Sequence, residues 1–207
     1  MLLWAEKVSK AFADKIIWMA SKLPATEPSW MMFGFSNESG FNPAAINSIG
    51  CVGIPQFCPD KAGLDYKTIG GVQYKLSDIR NMDALPQLDL TLQYFQDVQA
   101  AHGRFATYYD FLLADFWPAA IGQPDTYVFP QYVVDANKSL FKFGNTLLDY
   151  KKGRDERVLA TVPKEYHQIF FEKKNFFQLY KKEIIFFGIL FVLLVGAFLM
   201  YKYLFKK

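Results

Sequence analysis

The chain is poor in the residues that most metal and covalent chemistry requires. Its 207 residues include two histidines, His102 and His167, and two cysteines, Cys51 and Cys58. The histidines lie far apart, with no His-x3-His pair, so no zinc-ligand set is available and no metal or cofactor is expected. No glycine-rich loop follows a strand, which removes the phosphate-cradling nucleotide sites. A Ser-His-Asp or Cys-His arrangement would have to use His102, at the expected end of a surface helix. Strand signals are few, with residues 72–76 the one short candidate, and there is neither an internal repeat nor a low-complexity tract. The N-terminus lacks an apolar signal core, because Glu6, Lys7, Lys10, Asp14 and Lys15 interrupt it. No cleavable leader is expected.

What the chain has is apolar and aromatic content, 52% and 18%, enough to build a core and exclude global disorder. Its net charge of +3 hides an asymmetry. Residues 1–150 carry eleven basic and fifteen acidic side chains; residues 151–207 carry twelve and five. An acidic body is a poor nucleic-acid partner, and no nucleic acid is expected. Inside the basic tail, residues 184–201 form 18 positions without a charge. With Lys202 snorkelling, residues 184–205 are long enough to cross a bilayer as a helix, and Tyr180, Tyr201 and Tyr203 flank them as interfacial aromatics do. Four lysines before the span and three after leave its orientation open. Tyr166, Ile169, Phe170, Phe176, Phe177 and Tyr180 recur at helical spacing between charges. They fit a stalk lying along the membrane surface, or one packed on the body. Residues 151–183 are therefore expected to be a basic linker and amphipathic stalk, and the lipid membrane a partner.

The body, residues 1–150, reads as mainly α and as one domain. An amphipathic helix is expected over residues 2–22, from Leu3, Val8, Phe12, Ile16 and Met19. A second is expected over 27–38, capped by Thr26 with Pro28 in its first turn. A long helix over 83–101 carries the stripe Leu85, Leu88, Leu92, Phe95 and Val98, and Gly103 stops it. Another covers 107–117, before Pro118. Residues 42–60 form a Gly/Pro/Asn-rich loop, and 130–150 are helical in part.

One carboxyl stands out. Glu38 ends an apolar helix among Trp30, Met31, Phe33, Phe35 and Phe41. Desolvation there would raise its pKa and keep it protonated near neutral pH, as a glycosidic general acid requires. Composition alone favours a solvated glutamate at a helix end.

The surrounding motifs add to this. Ser36-Asn37-Glu38-Ser39-Gly40-Phe41-Asn42-Pro43-Ala44-Ala45 resembles the first motif of the lytic transglycosylases of the soluble-lytic-transglycosylase, lysozyme-like family. Gly53-Ile54-Pro55-Gln56-Phe57 is similar to the second, Gly-Leu-Met-Gln followed by an apolar residue, with Pro55 in the Met position. Phe116-Trp117-Pro118-Ala119-Ala120-Ile121-Gly122-Gln123-Pro124-Asp125 resembles the phage-encoded variant of the third. The likeness spans about residues 26–140. It implies a lysozyme-like domain with Glu38 as sole acid and base. It also implies a peptidoglycan glycan strand as substrate, cut at the β-1,4 bond between N-acetylmuramic acid and N-acetylglucosamine with a 1,6-anhydro product. Ser39 would orient nearby groups or the N-acetyl, and Gln56 would hydrogen-bond substrate. Trp117 would stack on a sugar or sit in the core; Phe57 would be a wall or a core residue. Asp60, Asp65 and Asp115 are read as solvated or capping carboxylates. Cys51 and Cys58 flank Gln56 and would form either a disulfide stiffening that loop or two buried thiols.

A tail anchor without a leader, together with the phage-like third motif, points to a virion protein that penetrates the cell wall during phage entry, alongside other virion membrane or capsid proteins. A bacterial envelope enzyme, an inactive glycan-binding structural protein, and an adaptor whose body binds another protein are the alternatives.

Overall fold

Local rules account for most of the helix ends. Helix α1 (Lys10–Lys22) begins where the Ser9 hydroxyl accepts the Phe12 N–H, and it buries Phe12, Ile16 and Met19. It is shorter than the expected 2–22, because Trp4 adopts a left-handed φ of 54° and residues Ala5–Lys7 form only a 3-10 turn. Helix α2 (Pro28–Ser39) has Pro28 at its start, as its fixed φ favours. Its N-cap is Glu27 rather than Thr26, whose hydroxyl is buried without a partner among the described residues. The computed structural model describes residues 1–171. These are mainly α, with one antiparallel hairpin.

That hairpin joins β1 (Tyr66–Ile69) to β2 (Val72–Lys75), with Ile69 opposite Val72. Gly70 and Gly71, at φ 59° and 76°, supply the two left-handed residues that a two-residue hairpin turn needs. The expected strand 72–76 thus ends one residue early, and Leu76 opens helix α3 (Leu76–Arg80). Val52, Phe57, Ile69, Leu76 and Ile79 close a small core under the hairpin.

Helix α4 (Ala84–His102) stops at Gly103 and buries Leu88, Leu92, Phe95 and Val98; Leu85 remains 38% exposed. Gln87 and Thr91 are buried in its place. Helix α5 (Tyr108–Phe116) opens on a capping box between Thr107 and Asp110. The α2 helix contacts α1 and α5, and α4 contacts α1 and β1. Phe35, Phe95, Phe105 and Phe111 interlock between them, with Phe95 and Phe111 centroids 5.0 Å apart.

The largest departure from expectation is at the end of the body. Residues 151–162 were expected to be linker, and the domain to end at 150. Helix α6 (Gln131–Ala136) is followed by helix α7 (Leu147–Thr161), and the first compact unit runs Met1–Val162. The charged string hides an inward face. Tyr150 and Val158 are fully buried and Arg154 is 3% exposed. Tyr150 stacks on Phe116 at 5.2 Å beside Phe129 and Phe141. A Cβ at Gly153 would overlap the Leu140 carbonyl oxygen, so only glycine admits this approach.

The second unit begins at Pro163; its described part holds a 3-10 turn (Lys164–Tyr166) and helix α8 (His167–Phe170). The rest of the expected stalk and the expected span over 184–205 lie outside the described residues. Among the described residues no helix is long and apolar enough to cross a membrane.

Candidate active site

Glu38 sits in the last turn of α2, whose residues from Ser29 through Phe35 are all buried. A helix buried on every side is a rigid mount. Gly40, at φ 62°, caps it by donating to the Phe35 and Ser36 carbonyls. Beyond the cap, the Ser39 hydroxyl donates to the Ile54 carbonyl at 2.8 Å, tying this helix end to the second motif.

That second motif is a turn held by its own side chains. Gln56 is 6% exposed, at φ 59°, and its Nε2 donates to the Gly53 carbonyl at 2.8 Å. Cys51 and Cys58 are joined by a disulfide, with Cα atoms 4.1 Å apart, bracketing the turn. Behind it lies Gln87, fully buried. Its Oε1 accepts the Ile54 N–H at 2.5 Å, and its Nε2 donates to the Pro43 and Ile79 carbonyls at 3.0 and 2.8 Å. A Cβ at Gly53 would meet Gln87 at 2.7 Å, and Gly53 has φ 81°, so this glycine is required twice over.

Glu38 opens onto a small pocket lined by Gly34, Phe35, Phe95, Phe111, Leu112 and Asp115. Its own surface is exposed, yet protein crowds it closely; the wall of a cleft has both properties. Desolvation raises its pKa, and the positive charges of Arg154 and Arg157 partly oppose this. Asp115, in the last turn of α5, is also raised, first by desolvation and then by the charge of Glu38, against Lys67 and Arg154. Among the described residues neither carboxyl has a hydrogen-bond or ion-pair partner. Arg154 donates from Nε to the Tyr150 hydroxyl at 2.9 Å and lies over the Tyr150 and Phe116 rings. Lys67, on β1, pairs with Asp60 at 3.5 Å and lies over the Tyr94 ring. The Tyr94 hydroxyl donates to the Ala114 carbonyl.

The site residues read from sequence therefore separate. Glu38 lines the pocket. Ser39 and Gln56 make the local bonds just described, so their present contacts are structural. Phe57 is 1% exposed and packs edge-on against Tyr94 at 5.6 Å, a core residue rather than a wall. Trp117, half-buried, donates its indole N–H to the Tyr127 hydroxyl at 2.9 Å and meets Tyr132 edge-on. Asp115 is not a cap, and it lies half-buried in the pocket lining rather than fully solvated, contrary to expectation. A carboxyl inside the apolar run from Phe111 to Trp117 was the signal for it. Nothing local marks Arg154 or Gln87. No group of His, Cys, Asp and Glu suited to a metal ion occurs among the described residues.

Comparison of the chain with protein-family models, with curated proteins and with solved structures finds no match, so motifs and geometry together carry the functional reading.

Proposed function

We propose that the unit Met1–Val162 is a lysozyme-like peptidoglycan lytic transglycosylase, with Glu38 as acid and then base. One observation carries the reading. An accessible carboxyl without a partner is fixed at the end of a buried helix, against a pocket walled by Phe35, Phe95 and Phe111. A carboxyl placed so holds its proton at higher pH than a free glutamate, and the negative end of the helix dipole acts in the same direction.

The chemistry follows from one proton. Glu38 gives it to the glycosidic oxygen as the bond to the muramyl C1 breaks, and the substrate's N-acetyl group stabilises the developing cation. The Glu38 carboxylate then takes the proton of the muramyl C6 hydroxyl as that oxygen closes on C1. The nucleophile is intramolecular, so its effective concentration is high and no water need be positioned. Arg154, held by Tyr150, adds a positive charge that favours the carboxylate formed midway. The segment 184–205 would tether the enzyme to a membrane, that of a virion in the reading favoured by the third motif or a bacterial envelope in the alternative.

A second reading, hydrolysis, is favoured by Asp115 in the same pocket, since a second carboxyl can activate water. Purified sacculi treated with the full chain decide between them by mass spectrometry: anhydromuropeptides mean transglycosylation, reducing ends mean hydrolysis. Glu38→Gln should lower product release by about 10²–10⁴-fold while the fold persists. Near-normal release by that variant would overturn Glu38 as the acid. Absence of any product from the wild type would leave a glycan-binding structural protein.

A further inference from the structure

We propose that the outer face of helix α1 docks on a bilayer surface carrying anionic lipid headgroups, with Ile17 and Trp18 entering the headgroup layer and Lys10 and Lys22 meeting the phosphates. This goes beyond the enzymatic reading and takes from it only the tether over residues 184–205.

Helix periodicity divides α1 into two faces. Phe12, Ile16 and Met19, four and three residues apart, form the buried one. The opposite face carries Lys10, Asp14, Ile17, Trp18, Ser21 and Lys22, all exposed. Ile17 is 51% exposed and Trp18 43%, so neither belongs to the core. Of the four tryptophans Trp18 is the exposed one: Trp30 is buried, and Trp4 and Trp117 are half-buried. Lys15, tied to Asp89, lies 4.2 Å from the Trp18 ring centroid and steadies the ring, and the Lys22 ammonium stands 5.8 Å from it. The Trp18 indole N–H has no hydrogen-bond partner among the described residues. An aromatic ring with a polar N–H, beside an apolar side chain and flanked by lysines, suits a membrane interface. There the ring meets acyl chains while the N–H and ammonium groups meet headgroups.

Charge singles out this face. Residues 1–22 carry four basic and two acidic side chains, a net of +2, whereas residues 23–150 carry seven and thirteen, a net of −6. An anionic surface therefore attracts the N-terminal helix and repels the acidic remainder, which sets one orientation. Lys22 has no acidic partner among the described residues. Lys10 pairs with Asp14, but both are exposed, and such a pair is worth little in water and exchanges readily for a lipid phosphate. Two other exposed apolar pairs lack these cations. The loop 42–50 bearing Ile46 and Ile49 holds no charge, and in the stretch 125–135 bearing Val128 and Tyr132 the only charges are Asp125 and Asp135. The tether supplies reach. Residues 163–183, between this unit and the uncharged segment, hold five lysines and three glutamates and extend to at most about 75 Å. A body held at that range meets the surface at high local concentration, so a weak docking face suffices.

The test uses the full chain reconstituted with vesicles of mixed phosphatidylglycerol and phosphatidylcholine, and with vesicles of phosphatidylcholine alone. Brominated phosphatidylcholine in either quenches tryptophan at short range, and the difference between wild type and Trp18→Phe isolates the Trp18 signal. That signal should be quenched in the anionic vesicles and much less in the neutral ones. High salt should weaken the quenching. The Lys10→Gln, Lys22→Gln double variant should lower the docked-to-free ratio by about fivefold per lysine. Sacculus digestion by Trp18→Phe should match wild type, since the face supplies location and not chemistry. Flotation with the vesicles but no quenching of Trp18 refutes this face and leaves the tether standing; flotation with neither vesicle refutes both. Quenching equal in the two compositions and indifferent to the lysines overturns the recognition of anionic lipid. Quenching that disappears as protein density per vesicle rises assigns the face to a second copy and overturns it too.

Discussion

Replacing Gln87 by Leu would change little volume and remove three hydrogen bonds from the centre of the loop network. The Ile54 N–H loses its acceptor, and Ile54 is fully buried, so that donor has no access to water. An unsatisfied buried donor costs about 1–3 kcal/mol. The Pro43 carbonyl loses the Gln87 Nε2 donor, worth about 1 kcal/mol, whereas the Ile79 carbonyl keeps the Met82 N–H. These sum to about 2–4 kcal/mol, and the extra apolar atoms of Leu offset part of this, leaving a net loss of about 1–3 kcal/mol, large beside the ~5–15 kcal/mol stability of a typical domain. Equilibrium urea unfolding followed by tryptophan fluorescence would read it as a lower midpoint at unchanged slope. The damage should also reach Glu38, because Ile54 anchors Ser39. Activity should fall even under conditions where the variant is fully folded. A loss below about 0.5 kcal/mol with normal activity would mean that Gln87 merely occupies space, and that the three bonds contribute no net stability.

Reduction of the Cys51–Cys58 disulfide, or the double Cys→Ser variant, should lower stability by roughly 2–3 kcal/mol for so short a ring, and weaken activity while helix content by circular dichroism survives. Equal melting with and without reductant would refute this. Glu38 and Asp115 have folded-state pKa values raised above their unfolded ones, so they disfavour folding progressively as pH rises through that interval and are neutral in effect below it. Glu38→Gln and Asp115→Asn should therefore be more stable than wild type at neutral pH, with the gain vanishing below about pH 4. Variants no more stable than wild type at neutral pH would show that the carboxyls are better solvated than the pocket implies.

Much of the frame was legible because its signals are local. Pro28 at a helix start, Gly103 at a helix end, and the stripe Leu88, Leu92, Phe95, Val98 each act through neighbours in sequence, and the α4 ends fell within one residue of expectation. Misreadings occurred where a local signal carried two meanings. Residues 151–162 are charged enough to be a linker, yet one face of that helix holds Tyr150, Gly153, Arg154 and Val158 and is buried. Strand β1 escaped because Tyr66–Ile69 is short and has no clean alternation, although the Gly70-Gly71 pair after it was a hairpin signal. Leu85 looked like part of the stripe and is exposed, while Gln87 was passed over as polar and is buried.

By itself the sequence determined which carboxyl to look at. Glu38 follows a run of apolar residues that must be buried, and a chain leaving such a run at Gly40 holds its last acidic residue at the margin of the core. The tertiary structure decided what surrounds it. Asp115 is 77 positions away in sequence and Arg154 farther still, and no periodicity relates either one to Glu38. Asp115 reaches the pocket because α5 packs closely on α2, where Gly34 lies against Phe111 and Leu112, and α7 is seated by Gly153 against the Leu140 backbone. Burial raises the proton affinity of Glu38 and nearby charges are little screened in a poorly solvated pocket, so that affinity is a property of the packing rather than of the motif that carries it.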